Sequence, residues 1–273
     1  MSDATAAPVL PGMLAANPLL AQWVGFPEAG RVRISTGRVE IGQGVLTAMR
    51  QIAAEELDVS LDRIVLQTGD TELTPNEGYT SGSQSIQFGG VALRLACAEV
   101  RGLFLDRAAS LSGHPPAELS VQDGAILHRG AAIGHDYWSL AGAIDLARPA
   151  TGQSQVKKAN NHAVVGQNAA RVDLAAKVFG EAIFVHDLQL DGMMHARVVR
   201  QPRRGATIAA IDEAAIRRAA KGPIELVRDG DFLAIVGPDD DVAHAHSSSA
   251  SLPSSRLNTA RPAISDSTDT SSR

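Results

Sequence analysis

A break in composition at Gly237 divides this chain of 273 residues into a part equipped to fold and a part that is not. All 25 glycines lie at or before it, and the last lysine, glutamate and aromatic residue are Lys221, Glu225 and Phe232. Beyond it, PDDDVAHAHSSSASLPSSRLNTARPAISDSTDTSSR shows no hydrophobic periodicity and carries ten serines after His246. Such a segment cannot bury enough surface to offset the entropy of ordering it. Residues 238–273 are therefore expected to be a disordered tail, a frameshift being one origin for it. The remainder has room for one or two domains.

Composition excludes several classes. With 44% apolar and 20% charged residues and a net charge of -5, the chain reads as ordinary globular protein, not as a nucleic-acid binder relying on a basic field. A single cysteine, Cys97, rules out an internal disulfide and a multi-cysteine metal or iron–sulfur site, so an electron-transfer centre must lie elsewhere. No run approaches the ~18 apolar residues of a membrane span. The N-terminus shows neither a basic region followed by an apolar core nor a twin-arginine signal, which makes the cytoplasm the default compartment.

Along the chain, RVRIST (31–36) alternates like a half-buried strand, and RIVLQTGD (63–70) reads as a second. Between them Leu46, Met49, Ile52, Ala53 and Leu57 share one face of a helix over about 45–58, with Arg50, Glu55 and Asp58 turned away. A second helix carries Leu93, Ala96, Cys97, Val100 and Phe104 inward and Arg94, Glu99 and Arg101 outward, so Cys97 reads as a small core residue. A hairpin is expected over 119–136 with Asp123–Gly124 at its turn, followed by a short helix from Tyr137. Polar residues 151–168 read as a linker. The next unit, 169–237, contains strand-like AIFVHDL (182–188), MMHARVVR (193–200) and ELVRDGDFLAIVG (225–237), with an amphipathic helix at IDEAAIRRAA (211–220).

Two small-residue loops each precede a helix. Gly42–Gln43–Gly44 joins the first strand to the first helix, where the backbone can approach a ligand and helix-start N–H groups favour an anion. Thr80–Ser81–Gly82–Ser83–Gln84–Ser85 offers hydroxyls, an amide and a second helix start. Converging, they would form a neutral cradle of donors, better suited to a large phosphorylated cofactor than to a metal ion, because carboxylate, thiolate and imidazole ligands are absent from both. Ordinary helix capping explains either loop alone, and spacing does not separate the two readings.

The stretches VEIGQGVLTAMRQIAAEELDV and GDTELTPNEGYTSGSQSIQFGG together resemble the molybdopterin-binding large subunit of the xanthine dehydrogenase/aldehyde oxidase family. RVDLAAKVFGEAIFVHDLQLDGMMHARVVRQPRRGATIAAIDEAAI resembles that family's α/β hammerhead domain. Cofactor-binding sequence preceding the hammerhead is similar to the isoquinoline 1-oxidoreductase β-subunit and nicotinate dehydrogenase branch. The resemblance implies an α+β chain: an N-terminal arm (1–30), a partial molybdopterin-binding domain (31–150), a linker (151–168), a hammerhead (169–237) and the tail. It implies molybdopterin cytosine dinucleotide as cofactor, held by Gln43, Ser83 and Ser85, with Gly42 and Gly44 shaping the first loop and Gly82 close to the metal. It further implies a [2Fe–2S] small subunit, in some members a cytochrome c, and a small-molecule substrate hydroxylated with oxygen from water, an N-heteroaromatic or an aldehyde. A related complex working on the periplasmic side is the alternative location.

In that family the glutamate base lies downstream of the hammerhead, so no catalytic residue is expected in this chain. The alternatives are a catalytically incomplete remnant and a standalone phosphate- or nucleotide-binding module. Glu55 and Glu56 read as a solvated helix face, and Glu40 and Glu77, though nearer the loops, match no family base. Asp70–Thr71 reads as a pair that fixes its loop through backbone N–H groups. His244 and His246, in the tail, lack the preorganisation of a metal site, and His186 and His195 read as structural or surface residues. Arg197, Arg200, Arg203 and Arg204 read as a solvated loop.

Overall fold

The computed structural model describes residues 9–181, 184–200, 205, 207–208 and 210–247, which fall into two units divided between Glu181 and Ala182. The first begins with helix α1 (Gly12–Ala16) and strand β1 (Val24–Gly25), joined by a 3₁₀ turn. Leu14, Leu20 and Trp23 of this arm are fully buried, and the Trp23 indole N–H donates to the Asn17 carbonyl at 2.8 Å. Strand β2 (Val32–Thr36) follows, with Val32 and Ile34 fully buried as the alternation in RVRIST requires. Helix α2 (Val45–Leu57) then crosses to strand β3 (Ile64–Thr68). β2 is the central strand, antiparallel to β1 and parallel to β3 with Thr36 opposite Thr68. The loops leaving β2 and β3 therefore start side by side at the carboxyl end of a parallel pair, where open α/β sheets place ligands.

A π-helical turn over Ser85–Gly90 leads into α3 (Val91–Ser112), whose Leu93, Ala96, Cys97, Val100 and Phe104 are buried as expected. Complete burial pushes the Cys97 thiol far up, which makes it a core side chain and not a nucleophile. The expected hairpin is a three-stranded meander, β4 (Leu119–Gln122), β5 (Ala125–His128) and β6 (Ala131–Asp136). Its first turn places Asp123 and Gly124 at φ 48 and 84, and a second, at Arg129 and Gly130, repeats this at φ 49 and 86. Positive φ at both central residues marks the hairpin geometry, and arginine there hid the second turn from a composition-based reading. Short α4 (Tyr137–Leu140) puts Tyr137 against Phe26 and Phe104, with ring centroids 5.5 and 4.8 Å away.

Three outward assignments are corrected. Glu55, Glu56 and Glu99 are 2%, 0% and 5% exposed, because the polar segment after Ala150 lies along α2 and α3 and takes its hydrogen bonds from them. Oε2 of Glu55 accepts the N–H groups of Ala163, Val164 and Val165 at 2.6–2.9 Å. Glu56 accepts from Lys157 N–H and pairs with Arg94 and Arg101, and Glu99 accepts from Thr151 and Gly152. Their partners are mostly backbone groups about 50–110 residues away, which helical periodicity cannot show. Helix α5 (Leu174–Phe179) closes the unit.

In the second unit, β7 (His195–Val198), β8 (Glu225–Asp229) and β9 (Phe232–Gly237) form an antiparallel sheet of order β7-β9-β8, with α6 (Glu213–Ala219) between β7 and β8 in the chain. Asp212 caps α6 by accepting from Ala215 N–H at 2.8 Å. AIFVHDL departs from its expected strand: Val185–Asp187 is a 3₁₀ turn held by Asp187 accepting from Phe184 N–H, and residues 182–183 lie outside the described residues. The disorder expected over residues 238–273 is corrected for its first part alone, where α7 runs Asp240–Ser247. Asp239 accepts from Val242 N–H at 2.7 Å, Ala243 is fully buried, and Val242 packs on Gly237. One capped turn with a single buried alanine is too little for a periodicity search over the whole tail. Residues 248–273, and the side chains of His244 and His246, lie outside the described residues.

Candidate functional site

The two loops singled out by sequence are tied together at their bases. Val39 N–H donates to the Thr80 hydroxyl at 3.0 Å, joining the segment that leads to Gly42 with the first residue of the serine loop. Beneath them lies a buried ion pair: Arg38, fully buried, donates from Nε to Glu77 Oε1 at 3.3 Å and from Nη1 to the Tyr79 carbonyl at 2.6 Å. Glu77, 2% exposed, also accepts from the Thr36 hydroxyl at 2.5 Å and Gly37 N–H at 2.7 Å. One carboxylate thus links the end of β2 to the loop after β3. The Thr68 hydroxyl donates to the Arg38 carbonyl, closing the ring.

The loop after β3 is braced from two sides. Asn17 accepts from Asn76 N–H at 2.8 Å and donates to the Asn76 carbonyl at 3.0 Å. Asp70 Oδ1 accepts from Glu72 and Leu73 N–H groups at 2.9 and 3.0 Å, the loop-fixing role expected of it. A cleft of about 370 Å³ opens between the segment after β2 and the loop after β3, lined in part by Gly37, Val39, Asp70, Glu77 and Thr80, and none of Gly42, Gln43, Gly44, Gly82, Ser83 or Ser85 is among its lining residues. Its floor continues under the π-helical turn, where a Cβ at Gly89 would overlap the Glu77 carboxylate oxygen. Gly89→Ala is expected to cost about 1–3 kcal/mol through this overlap, read as a lower Tm. An unchanged Tm would show that the turn is not seated on Glu77.

The expected site residues behave differently from one another. Ser83 and Gly82 take φ of 58 and 59 in an exposed loop, and Ser85 begins the π-helical turn. A side chain at Gly42, or at Gly78 nearby, would meet nothing within 4 Å, so both face open space. Gln43 is exposed and folds back on its own loop: its amide donates to the Val39 carbonyl at 3.1 Å and accepts from Ile41 N–H at 2.7 Å. The expectation that N–H groups at the start of α2 await an anion is corrected for Gly42 and Gly44, which both donate to Oε1 of Glu40 at 2.8 Å. Arg171 donates to the Gly42 carbonyl at 3.2 Å and stands 3.6 Å from the same Glu40 oxygen. Hydrogen bonds from Arg171 and Lys177 hold the Asp173 carboxyl well below the usual range, so Asp173 stays charged.

Sequence reasoning missed Arg38, Asn17 and Arg171, and set Glu40 and Glu77 aside. A charged residue directly after the alternating β2 run was the available signal for Arg38. The contacts that bring Asn17 and Arg171 to these loops are with groups 59 and 129 residues away, which local sequence does not mark. Among the other candidates, His186 is exposed, His195 is half-buried in β7, Arg197 pairs with Asp240 at 2.5 Å and Arg200 is exposed, while Arg203 and Arg204 lie outside the described residues. No group of three or more histidine, cysteine, aspartate or glutamate residues able to hold a metal ion occurs among the described residues. Nor is any helix among them long and apolar enough to cross a membrane.

Comparison with known proteins bears on what this cradle takes. The family described as the molybdopterin cofactor-binding domain matches residues 7–181. The B subunit of nicotinate dehydrogenase from Pseudomonas putida is 32% identical over 233 residues, 82% of this chain and 19% of that protein. The beta subunit of isoquinoline 1-oxidoreductase from Brevundimonas diminuta is 28% identical over 247 residues, 76% of this chain and 31% of that one. The crystal structure of quinoline 2-oxidoreductase from Pseudomonas putida 86 aligns with a TM-score of 0.38 at 26% identity, over 44% of this chain and 15% of its own. The chain thus spans about a fifth to a third of the length of the two curated relatives.

Proposed function

Because the chain belongs to the molybdopterin cofactor-binding domain family, we propose that residues 37–44 and 78–85 form one rim of the cofactor site in a molybdenum hydroxylase large subunit, and that the cofactor is molybdopterin cytosine dinucleotide. Residues 169–237, most of which fall in the unit after Glu181, are then its hammerhead domain. The observation that carries this reading is the Val39–Thr80 hydrogen bond above the Arg38–Glu77 pair, which brings both small-residue loops to one end of a parallel strand pair.

The donor set fits such a group. Ser81, Ser83 and Ser85 offer hydroxyls, Gly42 and Gly78 leave open space for a close approach, and the two loops lack the thiolate or imidazole ligands that would bind a metal directly. When bound, the cofactor supplies two-electron oxidation of a carbon with oxygen from water. This chain's residues bind and orient. Ser83 and Ser85 donate to polar atoms of the cofactor, Gly82 keeps the approach free of a side chain, and Gln43 must rotate away from Val39 and Ile41 to present its amide.

Glu77, Glu55 and Glu56 are not placed as general bases, and Glu40 is bound through Oε1 to the Gly42 and Gly44 N–H groups. Glu77 is engaged by Thr36, Gly37 and Arg38, and Glu55 and Glu56 hold the segment after Ala150. A base must come from other parts of the assembly. The only cysteine, Cys97, is buried, so electrons pass to a partner, which we assign as a [2Fe–2S] subunit, with a cytochrome c in some assemblies. The substrate class is an N-heteroaromatic or an aldehyde.

Expressed with a molybdenum-cofactor maturation system, the chain is expected to carry far less than one molybdenum per chain, because these loops are exposed on their outer side. Added molybdopterin should nevertheless shift the amide resonances of Gln43, Ser83 and Ser85. Resonances that stay fixed in all three, at saturating cofactor, would overturn the assignment of this rim.

A further inference from the structure

Glu40 sits at the entry to α2 in an unusual state. Its side chain is only 8% exposed, one oxygen takes the Gly42 and Gly44 N–H groups, and the other, Oε2, is buried without a partner among the described residues. Buried carboxylate oxygens are normally satisfied, and leaving one unpaired is costly. The helix behind it has 13 residues and no side-chain cap. A half-satisfied carboxylate therefore stands where the N-terminus of a helix would otherwise attract an anion.

Its surroundings provide a second place for it. Arg171 Nη2 is 3.6 Å from Oε1, and the guanidinium is already braced by Asp173 at 2.8 Å and by the Gly42 carbonyl. Moving Glu40 from the two glycine N–H groups toward Arg171 would keep its charge compensated while freeing two aligned donors. A side chain at Gly42, at φ 105, would meet nothing within 4 Å, so a ligand oxygen has room on that side.

We propose that Glu40 is a resident stand-in for an anion: it keeps the Gly42–Gly44 turn formed while the seat is free, and an incoming phosphoryl oxyanion displaces it onto Arg171. This rests on the reading that the loops seat a phosphorylated cofactor. Its consequence is thermodynamic. A ligand that must displace a resident group binds with an affinity reduced by the fraction of chains in which that group has left. If on the order of a tenth of chains are open, the reduction is about tenfold.

The test is a calorimetric titration of inorganic pyrophosphate into the full chain and its Glu40→Gln and Arg171→Gln variants, with amide spectra recorded in parallel. Glu40→Gln keeps the size and one acceptor oxygen but loses the charge, so it holds the two glycine N–H groups more weakly and is displaced more easily, and it should bind pyrophosphate more tightly, by up to about tenfold. Arg171→Gln removes the landing place and should bind more weakly than the unmodified chain. In the unmodified chain the Gly42 and Gly44 amide resonances should move on titration. Equal or weaker binding by Glu40→Gln, or glycine amides that do not move, would overturn the proposal. Pyrophosphate requires no molybdopterin, so a chain that never responds to molybdopterin yet gains pyrophosphate affinity on Glu40→Gln would sink the cofactor reading and leave this one standing.

Discussion

Glu77→Ala is expected to destabilise the first unit by about 3–5 kcal/mol, the range found when one partner of a buried ion pair is removed. Arg38 is fully buried, and its Nη2 already lacks a partner among the described residues, so the variant leaves a desolvated guanidinium with only the Tyr79 carbonyl to hold it. The Thr36 hydroxyl and Gly37 N–H lose their acceptor in the same step. Urea denaturation should show a lower midpoint with an unchanged slope. The paired replacement Arg38→Met with Glu77→Leu should recover most of the loss, because it removes both charges and not one. It should not recover the response proposed for Ser83 and Ser85 toward molybdopterin, since the Arg38 and Glu77 contacts beneath the two loops are gone. A loss below about 1 kcal/mol for Glu77→Ala would mean that water reaches the pair.

Removing the Glu55 carboxylate should release the segment that crosses α2. Glu55→Ala strands the Ala163, Val164 and Val165 N–H groups and one partner of Lys157, at an expected cost of about 2–3 kcal/mol for hydrogen bonds to a charged group. Burial pushes the Glu55 carboxyl up, but the three backbone N–H groups and Lys157 together outweigh it and leave it below its ordinary value. A carboxyl that is more acidic in the folded chain stabilises above its unfolded pKa, and that contribution disappears as pH falls through the folded value. The hydrogen-exchange protection factors of residues 163–165 should accordingly fall as pH drops below the ordinary carboxylate value. Asp58, which shares Lys157, is raised by burial and contributes in the opposite sense, favouring the fold as it protonates. Glu55→Gln isolates the two: it should abolish the acid-induced loosening of 163–165, and persistence of that loosening would assign it to another group.

Burial of Glu55, Glu56 and Glu99 shows where one-dimensional reading stops. Helical periodicity correctly turned Leu46, Met49, Ala53 and Leu57 inward on α2, because apolar side chains bury wherever a core forms. It turned the three glutamates outward for the same reason, since charged residues are rarely buried unless paired. Their partners are chiefly backbone N–H groups of a polar segment, which carry no side-chain signature. The second hairpin turn at Arg129–Gly130 and the eight residues of α7 escaped for a related reason, being held by local backbone geometry and one capping aspartate.

The sequence by itself determined the elements with strong periodicity, the core role of Cys97, the family, and the two small-residue loops proposed to hold the cofactor. Those features rest on residue type and short spacing, which a linear string preserves. Only the tertiary structure decided that the loops meet, that Arg38 and Glu77 hold them from below, and that Glu40 takes the glycine N–H groups expected to face a ligand. The loops and the buried pair join groups about 40 residues apart at the end of a parallel strand pair. Glu40 depends on a turn in which a carboxylate reaches the N–H groups two and four residues ahead of it. Neither the register of two distant strands nor the direction of one side chain is written in the order of the residues, because both are set by packing among groups that the chain brings together only on folding.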